Sequence, residues 1–158
     1  MKICFIPVRK NSRRVPRKNF RLFSKKSLLE ISVDTILEAG IFDRVVIASD
    51  DPDIENLFKH SNIVFHARPE EPSDKEGFLI DVVQSFILSQ KLTGPEILAV
   101  RLVTNPFCSC SDLSEGLNKL EETQVGVASF SEIKIRSHLL FSDVYGQFFP
   151  SDMSRYLQ

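Results

Sequence analysis

Lys2-Ile3-Cys4-Phe5-Ile6-Pro7, running directly into Val8-Arg9-Lys10-Asn11-Ser12-Arg13-Arg14-Val15-Pro16-Arg17-Lys18-Asn19, is the most informative stretch of this 158-residue chain. Lys2 to Pro7 is a short apolar run bounded by charge, the pattern of a strand buried on both faces. The chain then turns abruptly basic, with Arg9, Lys10, Arg13, Arg14, Arg17 and Lys18 inside one loop and Pro7 and Pro16 stiffening it. Concentrated cations with Asn and Ser donors suit a polyphosphate, whose oxygens accept charge-assisted hydrogen bonds. A charge run is more often a solvated loop or a nucleic-acid patch, so composition alone leaves those readings open. Neither G-x-x-x-x-G-K-[ST] nor G-x-G-x-x-G follows the run, which disfavours P-loop and dinucleotide sites.

Outward from this stretch, strand and helix signals alternate. Ser27 and Glu30 form a capping box ahead of Leu28, Ile31, Val33, Ile36 and Leu37, predicting a helix to about Gly40. Arg44 to Ser49 reads as a second buried strand. Asp51 as N-cap and Pro52 at the first helical position predict a short helix to about His60. Ile63 to His66 is a brief third strand. Ser73 with Glu76 caps a helix whose Leu79, Val82, Val83, Phe86 and Ile87 form a core stripe. Glu96 to Val103 holds a fourth strand at Ile97-Leu98-Ala99-Val100, and Ser109 with Asp112 caps a helix through Leu113, Leu117 and Leu120. Gln124 to Phe130 is expected as a fifth strand, and a hairpin is expected around Asp143 to Gly146. The expected fold is α/β, with a mainly parallel sheet, right-handed crossovers and helices on both faces. One domain over 1–158 suits 42% hydrophobic and 26% charged residues. In such sheets ligands bind beyond the carboxyl ends of the strands, where the strand order reverses, which favours the basic loop.

Composition excludes several classes. Twenty Lys and Arg nearly balance 21 Asp and Glu, so no whole-molecule field would recruit nucleic acid or an anionic membrane. No apolar run approaches the ~20 residues of a membrane span, and the chain opens into a strand without a signal-peptide pattern, so a cytoplasmic protein is expected. Cys4, Cys108 and Cys110 suit reduced thiols, and a lone C-x-C without a second pair argues against structural zinc. Asp50-Asp51 at a strand end could suggest a magnesium-binding receiver domain, but such a site needs acidic residues after the first strand, where Arg9, Lys10 and Arg13 stand. Asp51 is read instead as a helix cap and Asp50 as structural.

Ile6-Pro7-Val8-Arg9 through Lys18-Asn19 resembles the N-terminal signature of the acylneuraminate cytidylyltransferase family, approximately I-P-A-R-x-x-S-[KR]-x-[IL]-P-x-K-N. Ile41-Phe42-Asp43-Arg44-Val45-Val46-Ile47-Ala48-Ser49-Asp50-Asp51 and Arg68-Pro69-Glu70-Glu71 resemble further family segments in the expected order. Thr104-Asn105-Pro106-Phe107 and Phe148-Phe149-Pro150 resemble the branch acting on pseudaminic acid. The sequence departs from the family at Ser24-Lys25-Lys26-Ser27, where G-K-P is usual, at Gly77-Phe78-Leu79, and at Leu102-Val103.

The resemblance implies a three-layer Rossmann-like nucleotidyltransferase fold. It implies transfer of CMP from CTP to a nonulosonic acid (sialic or pseudaminic) with release of pyrophosphate, assisted by Mg2+. Arg9, Ser12, Arg13 and Lys18 would hold the triphosphate, with Arg9, Arg13 and Lys18 stabilising the charge of the reaction. Asn11 and Asn19 would shape the loop or add donors, and Arg68 would approach the cytosine. The family's magnesium-binding aspartates and a segment exchanged in a homodimer would lie past Gln158. A nucleotide-binding paralogue without turnover is the alternative that these departures keep open.

Overall fold

The computed structural model describes residues 1–12, 15–68, 79–128, 140–142 and 148–150. Its first strand, β1 (Lys2–Val8), is the apolar run read from the sequence, and Ile3, Cys4, Phe5, Ile6 and Val8 are buried. Both faces are apolar because both are covered. Cys4, Ile6 and Val8 face one cluster and Ile3 and Phe5 the other, as the two-residue period of a strand requires.

The basic loop ends in a single 3-10 turn, Lys18–Phe20, followed by a two-residue hairpin, β2 (Leu22–Phe23) and β3 (Lys26–Ser27). Helix α1 (Leu28–Ala39) starts at the expected capping box. The Ser27 hydroxyl accepts from the Glu30 amide at 3.2 Å, and Glu30 Oε2 accepts from the Ser27 amide at 2.7 Å. These bonds to the carboxylate hold Glu30 below the usual glutamate range. The helix ends on Gly40, whose φ of 62° is left-handed.

β4 (Arg44–Ser49), β5 (Ile63–Ala67) and β6 (Ile97–Val100) complete a four-stranded, wholly parallel sheet in the order β5-β4-β1-β6. α2 (Leu79–Gln90) covers one face, where Phe86 packs on Phe5 with ring centroids 4.7 Å apart. α1 and α3 (Cys110–Thr123) cover the other, bringing Leu29, Val33, Ile36 and Leu113 onto Cys4, Ile6, Val45 and Ile47. This is a three-layer Rossmann-like α/β arrangement. Each fully buried large side chain contributes about 1.5–3 kcal/mol of transfer free energy.

Four expectations change. The segment after Asp51 is a 3-10 turn over Pro52–Asn56 rather than a helix to His60, although Asp51 does cap it by accepting from the Asp53 amide. Residues 124–128 form no strand. Gln124 takes a left-handed conformation (φ 56°) and closes α3, its amide donating to the Leu120 carbonyl, and Val125 and Val127 are then exposed. Leu79 is exposed at the start of α2, so the core stripe of that helix narrows to Val82, Val83 and Phe86. The stretch joining the basic loop to α1, expected as loop, holds the hairpin β2–β3, whose two-residue strands carry no periodicity. The Ser73–Glu76 cap and residues 129 and 130 of the expected fifth strand lie outside the described residues.

Contacts divide the chain into one unit over Met1–Val125, holding the sheet, and another over Gly126–Gln158. In the second, β7 (Leu140–Ser142) pairs antiparallel with β8 (Phe148–Pro150), Phe141 opposite Phe149. These strands bracket the expected turn; Asp143 to Gly146 lie outside the described residues.

Candidate functional site

Because all four strands of the sheet run the same way, Val8, Ser49, Ala67 and Val100 end on one edge. The chain passes from β1 outward to β4 and β5, then returns to the other side of β1 for β6. The order therefore reverses at β1, and sheets of this kind bind ligands between the two loops that leave such a reversal, which are those after β1 and β6.

The loop leaving β1 is the basic one. Arg9 and Lys10 are half-buried at its start, Asn11 is exposed, Ser12 is half-buried, and 15–17 are exposed. Arg17 is left-handed (φ 52°) and turns the chain into Lys18–Phe20, where Phe20 anchors on the core beneath. Asn19 is buried in this turn, and its Nδ2 donates to the Arg9 carbonyl at 3.4 Å. The end of the loop is thereby closed onto its beginning. Asn19 Oδ1 is buried with no donor among the described residues, an acceptor to which a ligand's N–H or O–H could donate. The structure thus brings Asn19 onto Arg9, with Asn11, Ser12 and Lys18 on the same loop; Arg13 lies outside the described residues.

The loop is also tied sideways to β4. The Lys10 amide donates to Asp50 Oδ1 at 2.7 Å, and Lys10 Nζ lies 3.2 Å from Asp51 Oδ1. Asp51 is almost wholly buried, so its carboxylate meets this cation in a poorly hydrated place. Asp50 and Asp51 accept from the loop and the 3-10 turn. Among the described residues no group of three or more His, Cys, Asp or Glu side chains comes together that could hold a metal ion.

Arg68 follows β5 directly, its amide donating to the Ser49 carbonyl at 2.9 Å and so extending the β4–β5 ladder by one step. It lies on the same sheet edge as the basic loop, two strands from β1, or about 10 Å at the usual strand spacing.

Beyond β6, Arg101 was not foreseen as a site residue. Its amide donates to the Phe5 carbonyl at 2.8 Å, its Nη2 donates to the Asn105 carbonyl at 2.7 Å, and only 6% of its surface is exposed. It holds the Asn105 carbonyl where the turn over Leu102–Asn105 meets the turn over Asn105–Cys108. Its Nε is buried without an acceptor among the described residues. The signal was a single cation interrupting the apolar run from Ile97 to Val103, which a strand reading passes over. Burial pushes the neighbouring Cys4 thiol up to about 12, only partly offset by the Arg101 charge.

Three comparisons bear on this edge. A family model described as cytidylyltransferase matches residues 3–143. A pseudaminic acid cytidylyltransferase of Campylobacter jejuni subsp. jejuni serotype O:2 is 40% identical over 86 residues, covering 54% of this chain and 37% of that protein. An N-acylneuraminate cytidylyltransferase of Streptococcus agalactiae serotype V is 26% identical over 154 residues, 96% of this chain and 37% of that protein. The aligned part of the chain thus spans little more than a third of the length of these relatives. Among solved structures, CMP:2-keto-3-deoxy-manno-octonic acid synthetase complexed with CTP shares the fold, with a TM-score of 0.60 at 17% identity over 78% of this chain and 48% of that one.

Proposed function

The chain belongs to the cytidylyltransferase family, and from that premise we propose that it transfers CMP from CTP to a nonulosonic acid, sialic or pseudaminic, releasing pyrophosphate. The observation that carries this reading is the basic loop closed at the strand-order reversal by Asn19 and Lys10. The names of the relatives supply the sugar class.

The anomeric hydroxyl oxygen of the sugar, giving up its proton to solvent, attacks the α-phosphorus of CTP, and the bond to the bridging α–β oxygen breaks, leaving pyrophosphate. Such a displacement asks the protein for alignment and charge neutralisation more than for covalent chemistry. Arg9, Ser12, Arg13 and Lys18 hold the triphosphate, and Arg9, Arg13 and Lys18 take up the negative charge that gathers on the leaving group. Asn11 adds a donor, Asn19 keeps the loop closed, and Arg68 reaches the base from the end of β5. Magnesium is the cofactor expected for the family, and it would neutralise phosphate charge beside these cations. The reading places the protein in the cytoplasm, with CTP and an acidic nine-carbon sugar as its partners, and makes a homodimer the assembly to look for by light scattering. No helix among the described residues is long and apolar enough to cross a membrane.

Titration calorimetry of the chain with CTP and then UTP, magnesium present, tests the nucleotide; pyrophosphate release with pseudaminic and N-acetylneuraminic acids tests the transfer. CTP binding at least about tenfold tighter than UTP, with release in the presence of one sugar, is the expected result. Binding without release would reject transfer by this chain, and no binding of either nucleotide would reject the site.

A further inference from the structure

Lys10 belongs to the basic loop by sequence, yet its bonds run away from it. The β1–β4 ladder ends with Val8 opposite Ser49, so Arg9 and Lys10 leave β1 beside the point where Asp50 and Asp51 leave β4. The chain is tied across this frayed end twice, by the Lys10 amide on Asp50 Oδ1 (2.7 Å) and by Lys10 Nζ on Asp51 Oδ1 (3.2 Å).

Both carboxylates are themselves fixed. The Ser49 hydroxyl lies 3.4 Å from Asp50 Oδ1 as donor and accepts from the Asp51 amide at 3.1 Å. Asp51 Oδ1 also accepts from the Asp53 amide at 3.3 Å, at the head of the turn that buries Ile54 in the core. The side chain of Asp51 is 5% exposed against 40% for Lys10. A buried carboxylate holds its cation firmly, because losing it would leave an uncompensated charge out of water.

We propose that Lys10 is a positioning residue and not an anion ligand: Asp50 and Asp51 hold it so that the start of the basic loop is fixed to the end of β4. This rests on the reading of the loop as the seat of the CTP phosphates. Lys10's charge is matched within the protein, and the remaining side chains of the loop meet the nucleotide from a fixed base, which lowers the ordering cost of binding.

The test is a double-mutant cycle on the whole chain with Lys10→Met, Asp51→Asn and both together. Asparagine keeps an acceptor for the Asp53 amide, so the turn stays capped. CTP affinity is measured by calorimetry at several potassium chloride concentrations, and folding by urea titration. Lys10→Met, Asp51→Asn and the double variant are each expected to weaken CTP binding by about tenfold, because each breaks the same tether. The salt dependence of the double variant should match that of the parent, since no contact to the charged ligand has been removed.

Asp51→Asn binding CTP within about threefold of the parent, while Lys10→Met loses about tenfold with a shallower salt dependence, would make Lys10 a phosphate ligand and overturn the proposal. Should Lys10→Met fail to fold, Asp51→Asn alone serves: a loss of about tenfold in CTP binding supports the tether, and binding within about threefold of the parent overturns it. If the parent binds no CTP, the nucleotide reading falls by itself. The unfolding cycle then decides the tether, with coupling of about fivefold or more in the unfolding equilibrium constant supporting it and additive variants refuting it.

Discussion

The imidazole of His66 on β5 meets the ring of Phe86 on α2 edge to face, with 5.3 Å between centroids and 79° between planes. Phe86 in turn lies against Phe5, so three rings from β5, α2 and β1 tie the sheet to its covering helix. Partial burial lowers the pKa of His66 from its usual 6.5. A lowered histidine pKa means that the unfolded chain binds the proton more readily than the folded one. Stability is therefore fully present above pH 6.5 and is lost as pH falls through the folded value. Thermal midpoints between pH 7.5 and 5 should decline on the acid side, and His66→Gln should flatten that decline; an unchanged slope would acquit His66.

Removing the ring at the centre of this stack should be expensive. Phe86→Ala is expected to cost about 3–5 kcal/mol in urea unfolding, since the ring is fully buried and sheet and helix cannot both close on the space. Leu88→Ala, on the exposed side of the same helix, should change stability by less than about 0.5 kcal/mol and serves as the control.

Two glycines should respond to alanine with opposite signs. Gly40 closes α1 at a φ of 62°, where a Cβ strains the backbone, so Gly40→Ala should lose about 1 kcal/mol. Gly116 lies inside α3 with nothing near its missing Cβ, so Gly116→Ala should gain up to about 1 kcal/mol. Denaturation midpoints of the two variants, compared with the parent, check the pair.

Alkylation should sort the three cysteines. Cys4 is buried and its thiol is pushed up to about 12, while Cys108 and Cys110 are half-buried near the start of α3. Iodoacetamide at pH 8 should modify Cys108 and Cys110 in the folded chain and reach Cys4 only in urea, as read by peptide mass spectrometry. Labelling of Cys4 without denaturant would mean that β1 opens locally.

Asn19 offers a direct check on the closed loop. Asn19→Ala removes the bond to the Arg9 carbonyl and the buried acceptor beside it. CTP binding should weaken by about tenfold, or about 1.4 kcal/mol, by calorimetry. A loop that binds nucleotide without this closure would show no change.

What the sequence allowed to be read, and what it hid, divides by range. β1, β4, β5 and β6 were legible because strands covered on both faces must be apolar throughout, and α1 and α3 because their capping boxes are local chemistry. The expected strand from Gln124 failed because Val125 and Val127 look β-prone in isolation, whereas the left-handed Gln124 directs the chain into an exposed course. At the site, the clustering of cations was visible, and so was Asp51 as a cap. Lys10's partners were not, because they stand 40 and 41 positions away and are selected only by the β1–β4 register. Arg101 escaped for the same reason: its worth comes from Phe5 and from a turn that forms only when β6 docks.

The strand order carries a cost in time. Of the four strands in this sheet β1 is made before the other three, and it stands inside the sheet, where Lys2 pairs with Ile97 on one side and Ile3 with Arg44 on the other. At ribosomal rates of about 5–20 residues per second, roughly 5–20 seconds pass between synthesis of β1 and that of β6. Throughout that interval Ile3, Cys4, Phe5 and Ile6 form a nascent apolar strand with one edge unclaimed, a natural binding stretch for a chaperone and a starting point for misassembly when synthesis outruns it.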